Sequence, residues 1–167
     1  SRPNSPGRHA IAESVLNDEL NRDNTYGFRY YAAFEIMDGL KLRLNYGRDI
    51  NEGINKSYEN PIVGDGQPTA WYGETSFRRD IQNISQVLTY TKSLNDVHNF
   101  DLTLGHESYD RAFSSNNGLS TTETASGIYE FDNFAIPVRV GGSSTKKTVE
   151  GYFGRLNYNF DNKYYIS

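Results

Sequence analysis

Hydrophobic and polar residues alternate with a period of two along three stretches of the chain, and a short turn signal interrupts each stretch. Over 26–36, Phe28, Tyr30, Ala32, Phe34 and Ile36 fall on one face, with Arg29, Tyr31, Ala33 and Glu35 on the other. Over 40–46, Leu40, Leu42, Leu44 and Tyr46 stand against Lys41, Arg43 and Asn45. Successive side chains of a strand point to opposite faces, so the pattern predicts strands wet on one side only. Tight turns are expected at Met37-Asp38-Gly39, Leu94-Asn95-Asp96 and Asp161-Asn162-Lys163.

Parity fixes the length of the first turn. A two-residue Asp38-Gly39 turn would set Ile36 opposite Lys41 and mix the faces. A three-residue loop over 37–39 pairs Ile36 with Leu40 and Phe34 with Leu42 instead. It also sets Glu35 opposite Lys41 as a cross-strand charge pair. Around 94–96, Tyr90, Leu88 and Gln86 are expected to face Phe100, Leu102 and Leu104, with Thr89 and Asp101 on the polar side. Around 161–163, Tyr158 and Phe160 join Tyr164 and Ile166, while Phe153, Arg155, Asn157 and Asn159 share the other face.

Between these hairpins, 51–79 and 110–147 read as irregular loops, far longer than the usual four to six residues. Residues 9–20 have the composition of one or two helical turns ahead of the first strand. Tight turns at one end of a sheet and long loops at the other outline an outer-membrane β-barrel.

Composition narrows the class. Hydrophobic content is 36%, yet aromatics reach 14% with 13 Tyr and 9 Phe, a mix that suits strands. A mean hydropathy of −0.72 excludes a helical membrane protein but leaves a barrel open, since only alternate residues meet lipid. The net charge of −4 is mixed in sign, so no basic stripe points to nucleic acid. Cysteine is absent, which removes disulfides, thiolate zinc sites and thiol catalysis together. The start, Ser1 to Gly7, has no apolar run of a secretory leader, and Lys163 to Ser167 reads as strand interior; a portion of a longer polypeptide is expected.

A soluble β-sheet also alternates, with its apolar face under a second sheet. Three features favour the membrane: tyrosines on the apolar face and near strand ends, strands of about ten residues, and charges at mid-strand on the polar face. Those charges are Arg29, Glu35, Lys41, Arg43, Asp101 and Arg155, expected to face a water-filled or plugged lumen.

The residues then become recognisable. Gly39-Leu40-Lys41-Leu42-Arg43 with Asn45-Tyr46-Gly47, Leu88-Thr89-Tyr90, and His98-Asn99-Phe100 running to Leu104-Gly105-His106-Glu107 carry a resemblance. The most specific stretch is Tyr152-Phe153-Gly154-Arg155-Leu156-Asn157-Tyr158 leading to Asp161-Asn162-Lys163-Tyr164-Tyr165-Ile166-Ser167. In order and spacing across 25–167 the chain resembles the barrel of the SusC/RagA-type TonB-dependent outer-membrane transporters of Bacteroidetes-like bacteria. The resemblance implies a 22-stranded transmembrane barrel around a plug, with the whole of 1–167 as barrel wall and the plug and TonB box outside it. It also implies Gram-negative outer-membrane localisation, import of glycans or oligopeptides, energy from TonB, and a SusD-like surface lipoprotein over the mouth. The alternative from another class is a soluble extracellular β-sheet module for carbohydrate.

Candidate chemistry is sparse. Trp71-Tyr72, in the first long loop near Asn60 and Asp65, is expected to offer exposed ring faces to a ligand such as a sugar. In the second loop Ile128-Tyr-Glu-Phe-Asp-Asn-Phe134 is expected to fold back over the mouth, meet a partner or pack on itself. His9, His98 and His106 lack metal spacing, and His106 and Glu107 point to opposite faces of a strand. Asp101 and Glu107, six residues apart, span about 20 Å of strand, too far for a glycosidase carboxylate pair. No Gly-x-Ser-x-Gly, phosphate loop or dinucleotide fingerprint occurs, so neither an enzyme nor a cofactor or metal is expected.

Overall fold

The computed structural model describes residues 9–167. A short helix α1 (Ala10–Leu16) precedes six strands: β1 (Asp18–Met37), β2 (Leu40–Glu59), β3 (Trp71–Leu94), β4 (His98–Glu123), β5 (Phe134–Phe160) and β6 (Tyr164–Ile166). They form one sheet in the order β1-β2-β3-β4-β5-β6, an up-and-down antiparallel meander with no crossover. The helix opens on a reciprocal cap: His9 Nδ1 accepts from the Ala12 N–H at 3.2 Å, and Glu13 Oε1 accepts from the His9 N–H at 3.1 Å.

All three expected turns exist, with one shifted. At 38–39 only Gly39 has positive φ (+76°), while a two-residue type I′ turn needs positive φ at both central residues. Gly47 lies against Arg29 and Tyr30 meets Tyr46, contacts that share the register of Ile36 with Leu40, so the strands keep the pairing of the three-residue reading. The next connection is 95–97, one residue beyond the expected 94–96. Asn95 and Asp96 both take the left-handed conformation, and the Val97 N–H closes the turn on Leu94 O at 3.3 Å. The third is 161–163 as expected, with Tyr158 opposite Ile166 and Phe160 opposite Tyr164.

The long loops are largely strand. β2 runs on to Glu59 and β3 begins at Trp71, so the irregular part of 51–79 shrinks to 60–70. In the same way 110–147 contains the end of β4 and the start of β5, leaving 124–133. β1 likewise begins at Asp18, eight residues before the apolar series. The extensions at 18–25, 51–59 and 113–123 are mostly polar and carry little periodic signal, yet backbone pairing needs none; the start of β5 does alternate, with Phe134, Ile136, Val138 and Val140 on one face.

The chain divides into two compact units. A turn unit comprises 26–50, 80–112 and 146–167; a loop unit comprises 51–79 and 113–145 with the described residues up to Thr25. The four buried apolar residues among the described ones, Tyr58, Ala70, Tyr72 and Phe134, all belong to the loop unit. The turn unit buries none. Its even-numbered series instead lies open: Phe34 is 53% exposed, Ile36 56%, Tyr152 78% and Leu156 56%. A sheet in water does not leave such a face bare, because each large apolar side chain gains roughly 1.5–3 kcal/mol on leaving water. Leu42 and Leu102 are half-buried by neighbours in the sheet, with no second layer over them.

Candidate functional site

The odd-numbered face of the turn unit is where polar chemistry gathers. Arg29 reaches from β1 across Gly47 to β2, where its guanidinium holds both oxygens of Asp49 at 2.8 and 2.9 Å. A Cβ at residue 47 would meet the Arg29 side chain at 3.4 Å, an ordinary contact, so the crossing lies directly over this residue. Arg155 Nε donates to Asn157 Oδ1 at 2.9 Å, and Asn157 Nδ2 approaches Asp101 Oδ1 at 3.5 Å. Arg29, Asp49, Asp101, Arg155 and Asn157 are all odd-numbered, so their mutual contacts agree with the alternation read from the sequence.

Two concavities open beside these residues. One of about 610 Å³ is lined by Arg29, Tyr31, Asn45, Asn83, Glu107 and Tyr109 among others. The second, about 900 Å³, lies by the turns and is lined by Asp101, Arg155, Asn157, Asn159 and Tyr165 among others. Glu35, Lys41 and Arg43 stay exposed. The expected Glu35–Lys41 pair does not form; the side-chain ion pairs of this unit include Arg29–Asp49, Arg48–Asp80 and Lys163–Asp161. Holding two long exposed side chains together gains little in water, which accounts for the missing pair.

The even-numbered face carries aromatic pairs. His98 Nδ1 and Tyr158 Oη lie 2.7 Å apart, and Phe100 packs on Tyr158 with ring centres at 4.9 Å. His106 stacks on Tyr152 at 4.6 Å, and Tyr30 meets Tyr46 at 6.0 Å. His106 and Glu107 do lie on opposite faces. Two residues beyond Tyr46 the even series becomes charged, with Arg48 bound to both oxygens of Asp80 at 2.7 and 2.9 Å.

The loop unit corrects the expected ring platform. Tyr72 is wholly buried rather than exposed. As the second residue of β3 it turns into a cluster where its ring stacks on Phe134 at 5.5 Å and meets the edge of Phe131 at 4.9 Å. Trp71, on the opposite side of the strand, is half-buried. The pair therefore cannot present two ring faces to one ligand. The aromatic stretch after Gly127 packs on its own unit: Tyr129 lies on Tyr58 at 4.4 Å. Asn133 pins the loop through its side chain, accepting from Thr124 and Ala125 and donating to Ala125 O and Ile128 O.

Charges close over this cluster. Lys56 Nζ lies 3.0 Å from Glu130 and 3.5 Å from Glu74, which in turn accepts from Tyr72 Oη at 2.9 Å. The hydrogen bond it donates to Glu130 raises the Lys56 ammonium above the usual lysine range, against an opposing effect of burial. Burial, then the bond to Glu74, pushes the Tyr72 hydroxyl up to about 12. Burial and Glu123 raise Tyr58 likewise. Lys56, Tyr58 and Glu74, which help to build this cluster, escaped sequence reading because each sits in a range expected to be irregular, whereas Phe134 ends the aromatic stretch expected to fold back, meet a partner or pack on itself. Among the described residues no group of three His, Asp or Glu side chains gathers as a metal site.

A single open sheet, bare and apolar on one face and polar on the other, is the wall of a transmembrane β-barrel. Comparison with known proteins defines it further. The chain is 31% identical over 171 residues to TonB-dependent receptor P3 of Formosa agariphila, across 93% of its own length and 16% of the relative's. It is 26% identical over 165 residues to TonB-dependent receptor SusC of Bacteroides thetaiotaomicron, across 98% and 16%. Its fold matches the RagAB peptide transporter with a TM-score of 0.77 at 18% identity, covering 91% of this chain and 17% of that one. The RagAB peptide importer in its open-open state gives 0.75 at 17% identity, with the same coverage of 91% and 17%. No protein-family model matches the chain. In sequence and fold the chain is similar to a segment of the barrel of the SusC/RagA-type TonB-dependent receptors. It spans about a sixth of the length of the curated relatives it matches, 16% in both.

Proposed function

We propose that this segment forms part of the wall of an outer-membrane importer that moves oligosaccharides or oligopeptides into the periplasm. The apolar even-numbered side chains of the turn unit, such as Phe34, Ile36, Leu42 and Leu156, meet lipid; Arg29, Glu35, Lys41, Arg43, Asp101 and Arg155 meet the lumen. There they hydrate the passage or hold a plug through hydrogen bonds and ion pairs, and no bond is made or broken. A SusD-like lipoprotein closes the mouth, and TonB drives the cycle through parts of the protein outside these residues. The observation that carries the reading is the turn unit itself, with an exposed apolar face and no buried apolar side chain. A soluble carbohydrate-binding module needs a second layer over that face.

Paired substitutions in the full-length transporter test it. Leu42→Arg should cost roughly 2–4 kcal/mol near the bilayer midplane and depress barrel yield in outer membranes. Arg43→Leu, one residue along and facing water, should leave insertion near wild type. Equal tolerance of both sinks the facing. Uptake of labelled oligosaccharide against labelled oligopeptide by wild-type cells then decides the cargo; uptake of neither removes the transport reading.

A further inference from the structure

We propose that the concavity of about 610 Å³ on the odd-numbered face of the turn unit is a subsite for uncharged oligosaccharide, an inference that rests on the importer reading above. Its volume lies within the roughly 300–1,000 Å³ of small-molecule sites. Tyr31 of β1, Asn45 of β2, Asn83 and Ser85 of β3, and Glu107 and Tyr109 of β4 line it, among others. These six share the parity of Arg29 and Asp49. Every lining residue belongs to the turn unit, so one compact unit builds the whole concavity.

Two tyrosines bound a low polar floor. β1 and β4 are three strand spacings apart, which sets Tyr31 and Tyr109 about 14 Å from each other across the sheet. Between them stand the short side chains of Asn45, Asn83 and Ser85. Tyr31 is 67% exposed. An exposed tyrosine ring offers an apolar face to sugar C–H groups and keeps its hydroxyl for water or a sugar oxygen.

The free hydrogen-bonding groups select the ligand. The side chains of Asn45, Asn83 and Ser85 make no hydrogen bond among the described residues. Glu107 has no ion-pair partner among them either. Each amide both donates and accepts, and the Glu107 carboxylate accepts through two oxygens, which matches the mixed donors and acceptors of neighbouring sugar hydroxyls. Arg29 is taken up by Asp49 at 2.8 and 2.9 Å, so Glu107 is the uncompensated charge of the lining. That negative charge repels sulfated and uronic sugars and admits neutral ones. An extended peptide gains its affinity mainly from main-chain bonds to a free sheet edge. The floor here is β2, β3 and β4, each already paired on both sides, which leaves a peptide backbone nothing to bond. An open site also suits a passage, where cargo must leave as readily as it enters.

The full-length transporter in nanodiscs, as wild type, Asn83→Leu or Glu107→Gln, is equilibrated with three ligand pools. These are neutral gluco-, galacto-, manno- and xylo-oligosaccharides, uronate oligosaccharides, and peptides of matched length. Retained ligand is counted by mass spectrometry, and heat-modifiable migration reports the folding of each variant independently. Wild type should retain neutral oligosaccharides over both other pools, and Asn83→Leu should hold them about tenfold less. Glu107→Gln should admit the uronates that wild type excludes, a change of selectivity that loss of fold does not produce. Neutral sugar held equally by wild type and Asn83→Leu overturns the subsite. So does a wild type that prefers peptides or uronates or retains nothing, and so does continued exclusion of uronates by Glu107→Gln. None of these results touches the importer reading, which uptake by cells tests apart; cells that import neither cargo remove that reading whatever the nanodiscs retain.

Discussion

Single residues in this sheet are fixed by what crosses them. Gly39 has φ +76°, and a Cβ there would lie 2.2 Å from the backbone oxygen of Thr91, whose N–H bonds Gly39 O at 2.9 Å. Neither the turn nor the neighbouring strand can give way cheaply. Gly39→Ala is therefore expected to destabilise the folded barrel by about 1–3 kcal/mol, read as a lower denaturant midpoint. A midpoint equal to wild type would mean that β3 does not pack against this turn. Gly39 was legible as a turn residue from Met37-Asp38-Gly39 alone. The approach of Thr91 was not, because it depends on a strand more than fifty residues away. Tyr72 failed for a related reason: its burial is set by Tyr58, Phe131 and Phe134, whose arrival no local pattern announces.

At the scale of elements, the apolar alternation located the turn-side ends of β1 to β5, where one face is oily. It lost the strands where polar residues dominate, as at 18–25, 51–59 and 113–123, and it also passed over the alternation of Ile136, Val138 and Val140 at the start of β5. In the polar stretches the ladder of backbone hydrogen bonds continues without any demand on side-chain polarity. The loop over 124–133 illustrates the gain from that extension, since it settles on Tyr58 and Tyr72, which the extended strands supply. Both hydroxyls are held protonated there. Tyr72 is raised from 10.0 to about 12, so its packing contribution is fully present below pH 10 and is lost as pH rises through about 12. Tyrosinate absorbance should accordingly show at least two of the 13 tyrosines ionising later than the rest, with the loop loosening as they do. A single titration step near 10 for all of them would show that the cluster is open to water.

The molecule as a whole is one sheet without an interior of its own in the turn unit, and the account stands on what replaces that interior. Its resemblance to TonB-dependent receptors was readable from ordered stretches such as Tyr152 to Tyr158, and the sheet order agrees. Side-chain facing is the part that a direct measurement can decide. The segment has no cysteine, so spin labels at single introduced cysteines over Leu40, Lys41, Leu42, Arg43 and Leu44 report one position each. In the full-length protein in bilayers, accessibility to oxygen should peak at 40, 42 and 44, and accessibility to a water-soluble nickel chelate at 41 and 43. Labels at 40, 42 and 44 shielded from oxygen, with 41 and 43 no wetter than they are, would contradict a lipid-facing apolar series and the transporter built on it.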